Sequence, residues 1–212
     1  MGQEMSAGPS KHMPKLAILL LAAGASSRMR GRDKLLEQVN GRPLVAGLSD
    51  AARASGCEVY VTVPHLEHPR ARAAGEAHLV AVPNAAEGLS ASLRAGITAL
   101  AGDIDGVMVL PADMPEITTA DFLKMAEQFT GPEGAILRAS GTDQSGARRV
   151  GHPVLFPRRC FDALQTLTGD AGARELLKQE AVQLIALPGA HALTDLDTPE
   201  DWTKWRARQG DV

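Results

Sequence analysis

The sequence predicts an α/β protein with a three-layer α/β/α architecture and a mostly parallel, Rossmann-like sheet. Apolar runs of strand length recur along the 212 residues. These runs lack the polar alternation of a strand that has one face in water. Amphipathic helical patterns lie between them, and a βαβα order predicts parallel strands joined by right-handed crossovers.

Five apolar runs are the predicted strands. They are LAILLLA at 16–22, EVYVTV at 58–63, HLVAV at 78–82, GVMVL at 106–110 and QLIAL at 183–187. Because such runs suit strands that are covered on both faces, we expect helices on either side of the sheet.

Two segments carry the apolar stripe of an amphipathic helix. One stripe consists of Leu93, Ile97 and Leu100, and the other of Phe122, Met125, Ala126 and Phe129. Capping boxes mark two helix starts: Thr118 with Asp121, and Thr198 with Asp201, the second with Pro199 at the first helical position. Residues 138–152 are polar and glycine-rich, which predicts a mobile loop at the rim of a site.

Length and charge limit the function classes. The chain is long enough for one well-formed core, so we expect a flexible N-terminal extension at 1–14 and a single domain at 15–212. With 22 Lys and Arg against 25 Asp and Glu, the net charge of −3 gives no uniform field for nucleic acid or an anionic membrane. Aromatic residues make up only 3%, which disfavours base-stacking platforms.

Cysteine usage and hydropathy predict a cytoplasmic location. Cys57 and Cys160 lie far apart without a CxxC motif, which indicates a reducing compartment and no structural zinc. The N-terminal residues contain no apolar signal-peptide core, and the apolar run at 16–23 is too short to span a bilayer. We therefore expect neither a membrane nor a nucleic acid as a partner.

A basic, glycine-containing segment at 22–34 follows the first predicted strand. In an open parallel sheet, ligands bind beyond the carboxyl ends of the strands. Small residues let backbone N–H groups approach an anion, and the segment adds the cations Arg28, Arg30, Arg32 and Lys34. A phosphate loop and a solvated basic turn explain this composition equally well. Neither GxxxxGK[ST] nor GxGxxG occurs here, so a P-loop NTPase and a Rossmann dehydrogenase are disfavoured.

Acidic residues occur at two further places. Asp113 comes just after the strand at 106–110, where a carboxylate can hold Mg²⁺ between phosphates or simply cap a turn. Asp195 and Asp197 precede the helix that begins after Thr198, whereas Asp201 is explained by the helix dipole.

Six motifs occur in the order found in MobA-like NTP transferases. They are LLLAAGASSRMRGRDKLL from residue 19, GLSASLRAGI at 88–97, LPADMP at 110–115, GHPVLF at 151–156, GDAGAR at 169–174 and DLDTPED at 195–201. The chain resembles this family over residues 16–208, and most of all the branch that includes molybdopterin cytidylyltransferases. The resemblance implies the fold of nucleotide-diphospho-sugar transferases and a role in molybdenum cofactor biosynthesis.

The resemblance also implies the residues of the site. The implied catalytic residues are Arg28, Lys34 and Asp113. The implied nucleotide-binding residues are Ala23, Gly24, Ser26, Arg28, Lys34 and Asp113, with Gly88, Ser90 and Ser92 at the nucleobase. The implied metal ligands are Asp113, Asp197 and Asp195. The implied acceptor-binding residues are His152 and Arg174. The usual family spacing is R-M-G-x-x-K, but here Arg30 is inserted between Met29 and Gly31, which leaves open which cation contacts which phosphate.

The implied activity is transfer of a nucleoside monophosphate from an NTP to a phosphorylated acceptor, with release of pyrophosphate. Such an acceptor has a second pKa near ~6 and needs no general base. We expect Mg²⁺ as the cofactor, with Mn²⁺ as the alternative, and CTP rather than GTP as the NTP. The expected acceptor is molybdopterin, and the segment at 138–152 is expected to select it.

Two alternatives stay open. One is the same chemistry on a sugar phosphate or an alcohol phosphate, since fold does not fix function. The other is a non-catalytic nucleotide- or cofactor-binding partner of a molybdoenzyme. The expected partners are the small-molecule substrates and, transiently, a molybdoenzyme or chaperone.

Overall fold

The computed structural model describes residues 14–169 and 172–210. Of the predicted N-terminal extension at 1–14, all but the last residue lies outside the described residues, and so do Asp170 and Ala171 of the GDAGAR motif. The strands are β1 (Leu16–Leu21), β2 (Gln38–Val39), β3 (Arg42–Pro43), β4 (Glu58–Val63), β5 (His78–Ala81), β6 (Gly106–Pro111), β7 (Ile136–Thr142), β8 (Arg148–Pro157) and β9 (Val182–Ala186).

A seven-stranded sheet forms the centre of the molecule, in the order β5-β4-β1-β6-β8-β7-β9. The β1 strand is parallel to β4 and β6, the β4–β5 and β7–β9 pairs are also parallel, and only β8 runs against its two neighbours. The short strands β2 and β3 form a separate hairpin. The predicted mostly parallel sheet is therefore confirmed.

The five predicted strands correspond to β1, β4, β5, β6 and β9. Four strands were not predicted: β2 and β3 of the hairpin, and β7 and β8 of the sheet. The mobile loop expected at 138–152 was wrong. These residues belong to an antiparallel hairpin whose connection is only 143–147. Its polar residues find partners across strands: the buried Ser140 hydroxyl donates to the carbonyl of Ile185 and accepts from Nε of Arg148 at 3.1 Å.

Seven helices are described: α1 (Leu44–Arg53), α2 (Pro69–Ala73), α3 (Leu89–Ala99), α4 (Thr119–Glu127), α5 (Phe161–Gln165), α6 (Arg174–Gln179) and α7 (Pro199–Gln209). Both predicted capping boxes are present. The backbone N–H of Thr118 donates to Asp121 at 2.9 Å, and that of Thr198 donates to Asp201 at 3.0 Å. None of the helices among the described residues is long and apolar enough to cross a membrane.

Alternate residues of β1 belong to two separate hydrophobic cores, one on each face of the sheet. Ile18 and Leu20 pack with the side chains of α1, α4 and α7, whereas Ala17 and Leu19 pack with those of α3 and α5. A Cβ added to Gly96 of α3 would overlap the Leu19 side chain. Helix α3 can therefore lie directly on β1, and this contact fixes where its N-terminal end meets the edge of the sheet.

Candidate active site

The segments that carry the predicted site residues meet at the carboxyl edge of the sheet. Strands β1 and β6 are adjacent and parallel, with Leu21 opposite Pro111, so the loops that follow them lie side by side. The segment before α7 joins them, because the N–H of Leu196 donates to the carbonyl of Asp113 at 3.0 Å. Residues far apart in sequence are thereby placed at one location.

Four of the predicted residues form one ion cluster. The Lys34 ammonium donates to Oδ2 of Asp113 at 2.5 Å and to Oδ1 of Asp197 at 2.7 Å. Arg28 lies 2.7 Å from the other oxygen of Asp197. We call Arg28, Lys34, Asp113 and Asp197 the ion cluster.

Burial and charge act against each other in this cluster. Burial of the Lys34 ammonium favours its neutral form, but Asp113 and Asp197 outweigh that effect and raise the pKa of Lys34 above its usual value. The pKa of Asp195 is also raised, first by burial and then by the charges of Asp113 and Asp197. Lys34 is therefore a cation at neutral pH, and three carboxyl groups lie near one another around it.

The two other cations of the loop face elsewhere. Arg30 lies 2.7 Å from Glu200 of α7, and Arg32 lies 3.2 Å from Glu37. Arg30 adopts a left-handed backbone conformation with φ of 53°, which turns the extra residue of this loop outward. The insertion thus leaves Arg28 and Lys34 in the ion cluster.

Arg70 of α2 anchors the loop that follows β1, residues 22–34, which we call the first loop. The sequence did not indicate this residue. Its side chain is 3% exposed and lies against Asp33, with 2.7 Å between Nε and Oδ2. The same guanidinium donates to the carbonyls of Ala22 and Gly24, both at 2.6 Å, and to the Ser26 hydroxyl at 2.9 Å. The PRARA segment of α2 offers no motif that points to such a role, since every partner is more than thirty residues away.

A cavity of about 370 Å³ lies between the first loop and the start of α3. Its predicted lining residues are Gly24, Lys34, Gly88, Ser92 and Asp113. Ala23 and Ser90 are buried and do not line this cavity, and the Ser26 hydroxyl is bound to Arg70. Gly88 has φ of 100°, a conformation that favours glycine, at the turn into α3. We call this space the nucleotide cavity, after the ligand that the resemblance implies for it.

A second cavity, of about 460 Å³, shares Leu21, Leu89 and Pro111 with the nucleotide cavity. Apolar side chains form most of its wall, among them Leu93, Val109, Val154, Phe156 and Leu177. Its polar lining residues are Arg138, His152, Arg174 and Lys178, and none of the lining residues in the described chain is acidic. The predicted acceptor residues His152 and Arg174 thus lie together here, and we call this space the cationic cavity.

Arg138 and His152 separate the cationic cavity from the acids. Both also line a third cavity of about 300 Å³, which contains Asp113 and Asp195. Burial and the charge of Arg138 lower the pKa of His152, so its imidazole is neutral at pH 7. Arg138 donates to the carbonyl of Gly151 at 3.2 Å, and burial together with Arg174 lowers the pKa of Arg138.

The donor chemistry of the acids fits a divalent cation such as Mg²⁺. Oδ1 of Asp113 is buried and has no hydrogen-bond partner among the described residues, which leaves one hard oxygen donor free. Over residues 14–169 and 172–210, no group of three His, Cys, Asp or Glu side chains is arranged to hold a metal by itself. Phosphate oxygens would have to complete such a site, as is usual for Mg²⁺.

Comparison with known proteins identifies relatives along most of the chain. The family model described as the MobA-like NTP transferase domain matches residues 18–184. The molybdenum cofactor guanylyltransferase of Pseudomonas aeruginosa is 30% identical, over 91% of this chain and 95% of its own length. The nicotine blue oxidoreductase of Paenarthrobacter nicotinovorans is 31% identical, over 89% of this chain and 95% of its own length.

Solved structures with the same fold include Rv0371c from Mycobacterium tuberculosis, with a TM-score of 0.75, 26% identity and coverage of 91% of this chain and 98% of that one. A manganese complex of that protein matches with a TM-score of 0.71 and 25% identity, over 90% of this chain and 97% of that one. A nucleotidyl transferase from Methanothermobacter shares the fold, with a TM-score of 0.74 and 21% identity. The match covers 92% of this chain and 97% of that one. The sheet is that of the nucleotide-diphospho-sugar transferases, and the chain belongs to the family of MobA-like NTP transferases.

Proposed function

We propose that this protein transfers a nucleoside monophosphate from an NTP, CTP in the first place, to a phosphorylated acceptor of the molybdopterin type and releases pyrophosphate. The observation that carries the proposal is the ion cluster at the wall of the nucleotide cavity, next to a second cavity with a cationic lining. The cluster offers charges of both signs, which a triphosphate and its metal would need together.

The chemistry needs positioning more than proton transfer. The acceptor phosphate is largely dianionic at neutral pH, because its second pKa lies near ~6, and it can attack the α-phosphorus without a general base. Lys34 and Arg28 would neutralise charge on the triphosphate and on the departing pyrophosphate. Asp113 and Asp197, with Asp195 beside them, would hold Mg²⁺ or Mn²⁺, which supplies charge neutralisation at the phosphates when bound.

The charges in the cluster balance one another, and this bears on substrate binding. Lys34 and Arg28 are paired with Asp113 and Asp197. A triphosphate offers the two cations new anionic partners, and a divalent cation does the same for the two acids. Binding of the metal–nucleotide complex therefore exchanges ion pairs and leaves no charge of the cluster unpaired.

Among its described lining residues, the nucleotide cavity offers guanine no carboxylate outside the ion cluster. A carboxylate can accept both donors on the Watson–Crick edge of guanine. The lining acid Asp113 belongs to the ion cluster, and the wall on the side of α3 consists of Ala85, Ala86, Leu89 and Ser92. CTP is therefore the first choice. GTP is the alternative, because relatives are named molybdenum cofactor guanylyltransferases.

The cationic cavity favours an acceptor that joins an anionic group to an apolar or ring-shaped body. Arg138, Arg174 and Lys178 supply positive charge, and the remaining wall is apolar. The flat ring system of a pterin phosphate can lie against this apolar wall while its phosphate meets the cations.

Pyrophosphate release tests the proposal. The purified protein is incubated with Mg²⁺ and each of CTP, GTP, ATP and UTP, with molybdopterin, a sugar phosphate or an alcohol phosphate as acceptor. We expect release with CTP that depends on molybdopterin. Release with GTP alone would reverse the base assignment, and release with a sugar or alcohol phosphate alone would reverse the acceptor assignment. NTP binding without release under any condition would favour the non-catalytic partner of a molybdoenzyme.

A further inference from the structure

The Arg70 guanidinium bonds to four residues, and all four belong to the first loop. Nε contacts both carboxylate oxygens of Asp33, at 3.0 and 2.7 Å, and the two terminal nitrogens contact the carbonyls of Ala22 and Gly24 and the hydroxyl of Ser26. Arg70 enters from α2, which follows the neighbouring strand β4. One side chain thus ties both ends of the loop to a different part of the fold.

These contacts fix the direction of two peptide groups. In a trans peptide, the carbonyl and the following N–H point in opposite directions. Because the carbonyls of Ala22 and Gly24 point at Arg70, the N–H groups of Ala23 and Ala25 point away from it. Neither N–H donates to an acceptor within the described part of the chain. Unpaired N–H groups beside glycine form a suitable cradle for an anion.

The contact with Asp33 acts on the other end of the loop. Asp33 directly precedes Lys34, whose ammonium lies in the ion cluster, and Oδ1 of Asp33 also accepts from the N–H of Leu35 at 3.0 Å. The Asp33 carboxylate is therefore bonded to the Arg70 side chain and to the N–H of Leu35, the residue that follows Lys34. A displacement of Asp33 would move the base of the Lys34 side chain.

Two residues of the loop have a backbone conformation that they do not favour by themselves. Ser26 and Arg30 both have positive φ, 51° and 53°, although neither is glycine, so the surrounding structure must stabilise the conformation. Arg70 bonds directly to Ser26 and to the residues just before it. No other side chain within residues 14–169 and 172–210 donates to the carbonyls of Ala22 or Gly24.

We propose that Arg70 is the positioning residue of the first loop: it turns the Gly24 carbonyl inward so that the N–H group of Ala25, which lines the nucleotide cavity, meets the triphosphate, and through Asp33 it places Lys34. This inference rests on the proposed use of an NTP, but it concerns binding and does not depend on which acceptor is used.

The test compares Arg70→Lys and Arg70→Ala with matched changes at Arg159. Arg159 also bonds a backbone carbonyl, that of Gly134, and an acid, Glu180, but outside the three cavities. Affinity for Mg²⁺–CTP and Mg²⁺–GTP is measured by calorimetry, KM for NTP and for acceptor by pyrophosphate release, and folding by thermal unfolding. Lysine keeps the charge but cannot reproduce the forked geometry of a guanidinium. We expect Arg70→Lys to weaken NTP affinity about tenfold or more, with the acceptor KM unchanged, and Arg159→Lys to leave both unchanged.

Chemical rescue provides a readout that a merely structural role would not move. We expect millimolar guanidinium to restore NTP affinity to Arg70→Ala, and the same concentration of ammonium to fail, because only guanidinium can bond the carbonyls, Ser26 and Asp33 together. If Arg70→Ala does not fold, Arg70→Lys decides alone. NTP affinity within about twofold of wild type in a folded Arg70→Lys variant would overturn this inference and leave the proposed function intact. A wild-type protein that binds no NTP would overturn both, whereas NTP binding without any turnover would overturn the proposed function alone.

Discussion

The Lys34 ammonium and the Asp113 carboxylate lie 2.5 Å apart, although 79 residues separate them in the chain. Their loops follow two adjacent parallel strands, so the sheet itself brings them together. Both residues also line the nucleotide cavity. A charge change at either one should therefore affect nucleotide use before it affects folding.

Asp113→Asn tests the acid of the cluster. The change keeps the shape of the side chain but removes a charge that a divalent cation needs, so we expect turnover to fall about a hundredfold or more. The control is Asp103→Asn, since Asp103 pairs with Lys15 on the surface. Pyrophosphate release and circular dichroism measure activity and fold. Near-normal turnover in folded Asp113→Asn would remove this residue from the site.

Lys34→Gln tests the cation between the two acids. We expect KM for NTP to rise about tenfold or more, because the triphosphate loses a buried positive charge. Lys15→Gln is a matched control: Lys15 also bridges two acids, Glu58 and Asp103, but outside the three cavities. Steady-state kinetics on both variants separate the local effect from the general loss of a lysine ion pair. An equal response in the two variants would argue against a role for Lys34 at the phosphates.

Arg30→Ala tests the inserted residue of the loop. Arg30 pairs with the exposed Glu200, and exposed pairs contribute about 1 kcal/mol at most. We expect KM for NTP to stay within about twofold of wild type, whereas Arg28→Ala should raise it several-fold, because Arg28 pairs with Asp197. Steady-state kinetics on both variants measure the KM for NTP of each. A larger effect at Arg30 would mean that the extra residue reaches the phosphates after all.

Thr198→Ala tests whether the cap of α7 also supports the site. Losing an N-cap costs about 1 kcal/mol of unfolding free energy, and Thr118→Ala at the equivalent cap of α4 should cost a similar amount. Thr198 directly follows Asp197, so we expect only Thr198→Ala to lower turnover as well. Urea unfolding and activity assays give the two quantities. Equal activity in both variants would show that Asp197 is held independently of the cap.

His152→Asn tests the buried imidazole through pH. The folded-state pKa of His152 lies below its ordinary value, because burial and Arg138 disfavour its charged form. The unfolded chain therefore binds the proton first as pH falls, and wild type should lose stability between about pH 7.5 and about pH 5.5. The variant lacks this contribution and should lose less. Urea unfolding at the two pH values measures the difference, and an identical loss in both proteins would contradict the expected pKa shift.

The sequence predicted the elements whose signals are local. Apolar runs located five strands, and the capping boxes at Thr118 and Thr198 located two helix starts, because each signal lies within a few residues. Strands β7 and β8 were missed because their polar residues resembled a loop. Ser140 is buried there through a hydrogen bond to Ile185, a partner 45 residues away, which no local pattern indicates.

The sequence indicated candidate site residues, but the structure brings only some of them together. The motif order pointed to Lys34, Asp113 and Asp197, which the structure brings into contact. Ser90 and Ser92 come from one motif, but residues two apart on a helix point about 200° from each other, and only Ser92 lines the cavity. Arg70 had no signal at all, because its partners become neighbours only when β1 and β4 pair.

The ring of Pro111, at the end of β6, forms part of the wall of all three cavities. Ligands in adjoining cavities would therefore both contact this one residue. A two-headed compound, with a nucleoside at one end and an anionic aromatic group at the other, would place its phosphate bridge beside this proline. Inhibitors of that kind would draw on both cavities at once, and the length of the bridge would decide their selectivity.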